Sequence, residues 1–392
     1  LKNKPKQPLF SNIFSLNLYI IFSFQKIFFN ESLIVNKTKS MTSKIIGVGN
    51  YIPSETITNL FFDDHHFLDE NGNTLKHDNA TIAEKLKEIT GIEERRYASK
   101  DMVTSDLGFI AAREALKKSE IDPETLDYII FAHNFGDVRF GTVQSDMVPS
   151  LASRVKHELG IKNNYCVAYD ILFGCPGWIE GLIQGNAFIK AGIAKRCLII
   201  GAETLSRVVD IHDRDSMIYA DGAGAAVIEL SEDNTGVQSH LTASFTLKEK
   251  DYLYFGKSYN SESSPDIKYI KMNGRKIYEF ALTNVPSAMK KCFDASGFSI
   301  DQLSKIIIHQ ANEKMDEAIV DRFFKLYDKA TPADIMPMVI SKLGNSSVAT
   351  IPSLLTMIFN QELETHSINP GDVVLFASVG AGMNVNALVY KF

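Results

Sequence analysis

A layered α/β fold follows from three features of the 392-residue sequence. Short, continuous apolar runs bounded by turn residues recur at 126–132 (LDYIIFA), 196–201 (RCLIIG), 304–308 (SKIII) and 373–378 (VVLFAS), as in strands buried on both faces. Longer stretches with helical apolar spacing lie between them, and the alternation runs the length of the chain. Composition is ordinary for a globular protein, 45% hydrophobic and 22% charged, which excludes a disordered chain.

The elements read in order as follows. Residues 44–53 (KIIGVGNYIP) open with a strand closed by Pro53. A charged, polar stretch runs on to about Lys87. His65 and His66 stand there beside Asp63 and Asp64, but adjacent residues on one element point apart, so a solvated charge run is preferred to a metal site. After a GIEERR turn, 107–118 has helical spacing, 126–132 is a strand and 148–159 a helix ended by Gly160. Residues 165–171 form a strand, 177–191 a long apolar helix ended by Gly192, and 196–201 a strand. Residues 222–230 (GAGAAVIEL) read as a Gly-rich turn leading into a strand. The second half gives helices at 276–295, 312–326 and 351–359, and strands at 304–308, 373–378 and 387–390. There is no short-period repeat and no Gly/Ser-rich linker, so halves at 41–232 and 233–392 are expected to pack tightly together.

Residues 1–40 have a different composition, with no Gly, Ala, Asp or Arg and a first Met at Met41. They are read as translated sequence upstream of the start, in preference to an anchor or signal peptide. The apolar stretch 9–29 is interrupted by Asn12, Asn17, Gln25 and Lys26, and no small-residue cleavage site follows it. Six lysines and one acid, Glu31, fall in this segment, so the chain from Met41 onward carries 35 basic against 46 acidic residues, a net charge of −11. That balance argues against nucleic acid as a partner, and no membrane association is expected. Cys166, Cys175, Cys197 and Cys292 form no CxxC pair and no dense framework, which indicates neither a zinc site nor a disulfide scaffold and suits a reducing cytoplasm.

Four local patterns carry chemistry. In DILFGCPGW (170–178), Cys175 falls between a strand and a helix. Pro176 suits the first helical position, and the helix start favours a thiolate. Cys166 and Cys197 look like inert thiols inside strands. In IIIHQAN (306–312), His309 should emerge at a strand's end, flanked by polar residues. In LGNSSVATIP (343–352), Asn345 lies among glycine and hydroxyl residues, a pattern common in plain turns. SVGAGMN (378–384) is a Gly-rich loop whose backbone N–H groups suit an oxyanion. Cys, His and Asn in this order also occur in papain-like proteases, but the CGSCW-type surround and an N-terminal cysteine position are both missing.

From Met41 to Phe392 the chain resembles the β-ketoacyl-acyl-carrier-protein synthase III family. The resemblance rests on KIIGVGNYIP, ITGIEERR, FGCPGW, GAETLSR, DGAGAAV, HQAN, GNSSVATIP, the GAG loop and the terminal NALVYKF. It implies a thiolase-like, five-layered α-β-α-β-α fold with two pseudo-symmetric halves, working as a homodimer. It also implies a decarboxylating Claisen condensation of an acyl-CoA starter with a malonyl-carrier protein in fatty-acid biosynthesis. CoA and carrier-protein thioesters are then substrates, and no cofactor or metal is expected. Cys175 would carry the acyl group, while His309 and Asn345 would donate hydrogen bonds to the malonyl thioester oxygen. The N–H groups of Cys175 and Ala381 would hold the second oxyanion, with Gly380 and Gly382 shaping that loop. Arg207 matches a nucleotide-contacting position, Lys314 a basic position that docks the carrier protein, and Trp178 is a candidate for the acyl tunnel or the core.

Four departures stand out. Ala381 replaces the middle glycine of the loop, where a positive φ would be strained. Lys85 and Ile89 stand where an aromatic and a basic residue usually grip the CoA adenine. Val148 stands where a bulky Phe often limits acyl length, and in the dimer it would reach across the interface. Insertions fall near 65–80 and 134–146. The second and fourth of these keep open a specialised ketosynthase of polyketide or alkylresorcinol type using acyl-carrier or β-ketoacyl thioesters, and a non-condensing acyl-binding protein is a third reading that the intact triad opposes.

Overall fold

Two mixed β-sheets frame the molecule in the computed structural model, which describes residues Thr42–Phe392; the reading of residues 1–40 lies outside them. The principal strands are β1 (Thr42–Tyr51), β2 (Tyr128–Ala132), β3 (Val167–Ile171), β4 (Arg196–Thr204), β5 (Asp221–Ser231), β6 (Gly236–Ser244), β7 (Leu253–Lys257), β8 (Lys268–Met272), β9 (Leu303–Ile308), β10 (Val373–Gly380) and β11 (Asn384–Lys391). The principal helices are α1 (Asn79–Thr90), α2 (Thr104–Ser119), α3 (Leu151–Glu158), α4 (Gly177–Lys190), α5 (Gly274–Ser296), α6 (Glu313–Lys325) and α7 (Thr350–Phe359). The first sheet has the order β1-β5-β4-β2-β3, and the second β6-β11-β10-β9. In the first, β2 runs parallel to both β3 and β4 while β5 is antiparallel to β1 and β4. In the second, β9 and β10 are parallel and β11 is antiparallel to β10 and β6.

Helices sort into three layers around these sheets. Helix α2 covers the outer face of the first sheet with α3 beside it, and α5 covers the outer face of the second with α6 against it. Between the sheets lie α4 and α7, each touching both. One apolar cluster runs through this middle layer, joining Trp178 and Leu182 of α4, Leu354 of α7, Ile199 of β4, and Ile307 and Phe376 of the second sheet. Helix α4 sits close because it presents glycine to the strands. A Cβ on Gly181 would come within 2.9 Å of the Ile199 side chain.

Segment 222–230 differs from expectation. It is strand throughout, not a turn, and pairs on both sides with β1 and β4. Its glycines answer to packing: a Cβ on Gly224 would lie 2.6 Å from Cβ of Pro352 in α7. The polar stretch before Lys87 conceals α1. Asp78 caps that helix by accepting from the Thr81 N–H at 2.7 Å, and Ile82, Ala83 and Leu86 are its buried stripe. The GIEERR segment turns into a short strand, Glu94–Tyr97, on which Arg95 is fully buried; its guanidinium donates to Met217 O, Ile57 O and Asn59 Oδ1. His65 packs among the rings of Phe61, Phe62 and Phe67, and the described residues contain no cluster of three or more metal-ligand side chains. No helix among them is long and apolar enough to cross a membrane.

Gly224→Val forces a side chain into the Pro352 ring. Urea denaturation is expected to show a loss of about 1–3 kcal/mol, with the m-value unchanged.

Candidate active site

Five segments converge beyond the carboxyl ends of the strands. The turn after β3 carries Gly174 and Cys175, with Pro176 at the cap of α4 and Gly177 as its first residue. Gly174 takes φ +66, and a Cβ there would stand 2.6 Å from the Ala381 nitrogen. Gly380 is as tight from the other side, since its Cβ would lie 2.4 Å from the Cys175 nitrogen. The Gly380–Ala381 backbone is thus pressed directly onto Cys175, which puts the two N–H groups assigned to an oxyanion next to each other. The expected strain at Ala381 is not found; the left-handed conformations fall on Gly382 and Met383, at φ +77 and +46.

His309 follows β9, and its N–H donates to Ala377 O at 2.9 Å. The polar residues around it are structural. Gln310 donates to Pro337 O and accepts from the Val339 N–H, tying down the segment that leads to Asn345. Asn312 caps α6 by accepting from the Met315 N–H at 3.0 Å. Asn345 is bracketed by backbone bonds to Ile218 O and from the Ala220 N–H. Its Oδ1 accepts from the Ser347 N–H at 2.8 Å. That bond assigns the oxygen and leaves the amide NH₂ as the group free for a ligand.

Cys175, His309, Asn345, Gly380 and Ala381 all line one cavity of about 260 Å³. Asn134, Tyr219 and Ser347 add polar atoms to its wall, and Leu205, Ile270, Met272, Ile277 and Met315 supply apolar surface. The β7–β8 hairpin closes one side, where Phe255 stacks on Phe135 with ring centroids 4.8 Å apart. Phe135 belongs to the segment read as an insertion at 134–146, so that segment helps to build the cavity.

Burial dominates the electrostatics. His309 is 4% exposed, and burial lowers its pKa to about 4, so the ring is neutral near pH 7 and its Nδ1 has no partner. Burial also pushes the Cys175 thiol up to about 11; a hydrogen bond from Ser347 Oγ at 3.3 Å works against this and the Glu203 carboxyl adds to it. Desolvation thus works against the thiolate that the helix start favours. Tyr219, buried with its hydroxyl unpartnered, stays protonated for the same reason.

Other candidate residues lie elsewhere. Trp178 is 1% exposed and packs edge-on against Phe376 in the middle-layer core, not on the cavity wall. Val148 is 88% exposed and does not line the cavity within this chain. Arg207 donates to Ala98 O and Ser99 O, both at 2.9 Å, with its guanidinium over the Phe140 ring. Lys314 is exposed on the first turn of α6, next to the cavity residue Met315. Lys85 and Ile89 are exposed on α1. Asn134, Glu203, Tyr219 and Ser347 escaped the sequence reading. Ser347 and Glu203 lie inside recognised motifs, but Asn134 and Tyr219 carry no local signal, because only folding brings them to Cys175.

Comparison with known proteins places this geometry among similar chains. Residues 169–244 match the family model described as 3-oxoacyl-acyl-carrier-protein (ACP) synthase III, and residues 293–392 match the model of its C-terminal part. A Bacillus pumilus protein named beta-ketoacyl-acyl-carrier-protein synthase III is 31% identical over 360 residues, covering 90% of this chain and 99% of the relative. One of the same name from Porphyra purpurea is 32% identical over 355 residues, covering 89% and 98%. The crystal structure of the synthase III from Aquifex aeolicus aligns with a TM-score of 0.73 at 29% identity, covering 89% of this chain and all of that one. The priming β-ketosynthase of the R1128 polyketide pathway aligns at 0.74 with 22% identity, covering 89% and 96%, and shares the fold.

The buried His309 couples stability to pH. The unfolded chain protonates this ring below about pH 6.5, while the folded chain does so only below about 4. Its contribution to stability is therefore present above pH 6.5 and lost as pH falls toward 4. Between pH 7 and pH 5, wild type is expected to lose about 2 kcal/mol more than His309→Gln in urea denaturation.

Proposed function

The chain belongs to the 3-oxoacyl-acyl-carrier-protein synthase III family, and from that premise we propose how its own residues run the condensation. The observation that carries the reading is that the Cys175 thiol, the His309 ring, the Asn345 carboxamide and the Gly380–Ala381 loop line one cavity. The Cys175 sulfur attacks the carbonyl of an acyl-CoA; the bond to CoA breaks, and CoA leaves as a thiol with the proton that Cys175 gives up. A malonyl-carrier protein enters next and loses CO₂. The resulting enolate oxygen takes hydrogen bonds from the neutral His309 ring and the Asn345 NH₂. The enolate carbon attacks the acyl-Cys175 carbonyl, whose oxyanion rests on the Cys175 and Ala381 N–H groups. The β-ketoacyl-carrier protein departs, and the sulfur regains a proton from solvent.

A neutral His309 suits this role, since decarboxylation creates negative charge on an oxygen and a dry pocket strengthens any donor aimed at it. The route uses no metal and no cofactor beyond the thioester substrates. Acyl-CoA and acyl carrier protein are the proposed partners, with the exposed Lys314, next to the cavity residue Met315, as the docking cation and Arg207 as the nucleotide contact. A homodimer is proposed as well, supported by the edge strand β3 and by Phe140, Val143, Met147 and Val148 exposed in one loop. In it, Val148 would reach the partner's acyl tunnel. Four free cysteines support a cytoplasmic location. The exposed, non-aromatic pair Lys85 and Ile89 favours the second reading, a specialised ketosynthase of polyketide or alkylresorcinol type that takes its starter from a carrier protein.

Incubation with acyl-CoAs of several lengths is expected to add one acyl mass to wild type and none to Cys175→Ala, and malonyl-carrier protein should discharge it. No adduct from any acyl-CoA, with charging by acyl-carrier protein, would move the assignment to the second reading. Asn345→Ala should still charge, while condensation falls roughly 10²–10³-fold.

A further inference from the structure

Glu203 ends a hydrogen-bonded chain that the reaction steps above leave unused. It is 1% exposed on β4, and its Oε1 accepts from Asn134 Nδ2 while Oε2 has no partner. The same Asn134 Nδ2 donates to Ser347 Oγ at 3.2 Å, and Ser347 Oγ donates to Cys175 Sγ at 3.3 Å. The direction of the chain follows from chemistry. A carboxamide nitrogen only donates, so Ser347 Oγ accepts from Asn134 and keeps its one hydrogen for the sulfur. Without an acceptor at Glu203, nothing turns the Asn134 nitrogen toward Ser347. A flipped carboxamide would present its oxygen, capture the Ser347 hydrogen and leave the sulfur without a donor. Ser347 is itself held in the left-handed region at φ +54, a conformation L residues rarely adopt and which its N–H bond to Asn345 Oδ1 helps to fix.

Resting on Cys175 as nucleophile, we propose that Glu203 is a positioning residue which, through Asn134, aims the Ser347 hydroxyl at the Cys175 sulfur. Its charge state gives this role a pH signature. Burial pushes Glu203 up to about 8, with Asn134 opposing and Asp221 adding to the rise. Below that pH the neutral acid orients the chain without repelling a thiolate; above it, the carboxylate works against sulfur ionisation. The titratable groups facing Glu203 are Cys175, from the turn before α4, and Asp221, on β5. Asp221 is held by the N–H groups of Ala98 and Ser206 and by the Ser206 hydroxyl. The end of β2 and the turn before α7 contribute only Asn134 and Ser347, which do not titrate. His133, next to Asn134, is engaged with Asp170.

The test is the second-order rate of Cys175 alkylation by iodoacetamide on the full chain, mapped by peptide mass between pH 6.5 and 9.5. Glutamine keeps an acceptor oxygen and cannot ionise. Glu203→Gln is therefore expected to match wild type near pH 6.5 and to exceed it about tenfold near pH 9.5, a shift of roughly one unit in the thiol. Ser347→Ala and Glu203→Leu are expected to react about tenfold more slowly at pH 6.5. Wild-type rates at pH 6.5 in folded Glu203→Leu or in Ser347→Ala would overturn the proposal, and the Ser347→Ala arm holds even where the Leu variant fails to fold. Acyl-CoA charging of wild type in the same preparation separates the two claims. Charging together with wild-type rates in those variants removes only the role of Glu203, whereas no charging of Cys175 removes the nucleophile on which it rests.

Discussion

Removal of polar groups from water where the two sheets meet controls the chemistry of this molecule. A histidine, a thiol and a carboxylic acid open onto or lie beside one cavity, and burial drives all three to their uncharged forms near neutral pH. A site built this way holds little field until substrate arrives. The charge that then develops on a thioester oxygen meets donors already in place, in a medium that screens them weakly. Had the pocket been wetter, His309 would titrate near pH 6.5 and its hydrogen bond would compete with solvent.

The fold buries these groups through its middle layer. Helices α4 and α7 are enclosed by sheets on both sides, so the turns that begin them lie deep in the molecule. Asn134, Cys175, His309 and Ala381 each follow a strand at its carboxyl end, and Glu203 lies in the last residues of another. That is where parallel-strand architectures gather functional groups. Glycine lets these ends touch. Gly174 and Gly380 interlock so closely that a methyl on either would strike the other segment's backbone. The β7–β8 hairpin then covers the apolar side.

Much of this was legible in the sequence, for identifiable reasons. The buried strands announced themselves as continuous apolar runs, and Cys175, His309 and Asn345 each sat at an element boundary within a distinctive motif. What escaped was written in tertiary contact. The glycines of 222–230 looked like a turn because nothing local reveals that Pro352 will lie against Gly224. Helix α1 was hidden by its charged face, although Asp78 and Gly91 mark its ends. Trp178 went to the core because its helix buries that face against Phe376. The helix start beside Cys175 suggested a thiolate, but the extent of desolvation depends on walls drawn from five distant segments.

The protonation state of His309 tests the central claim most directly. Nitrogen-15 spectra of histidine-labelled chain, assigned by His309→Gln, are expected to show this ring as a neutral imidazole from pH 8 down to about pH 5. An imidazolium signal from His309 at pH 6 to 7 would contradict it, and would mean that the cavity is wet and that the enolate meets a charged donor.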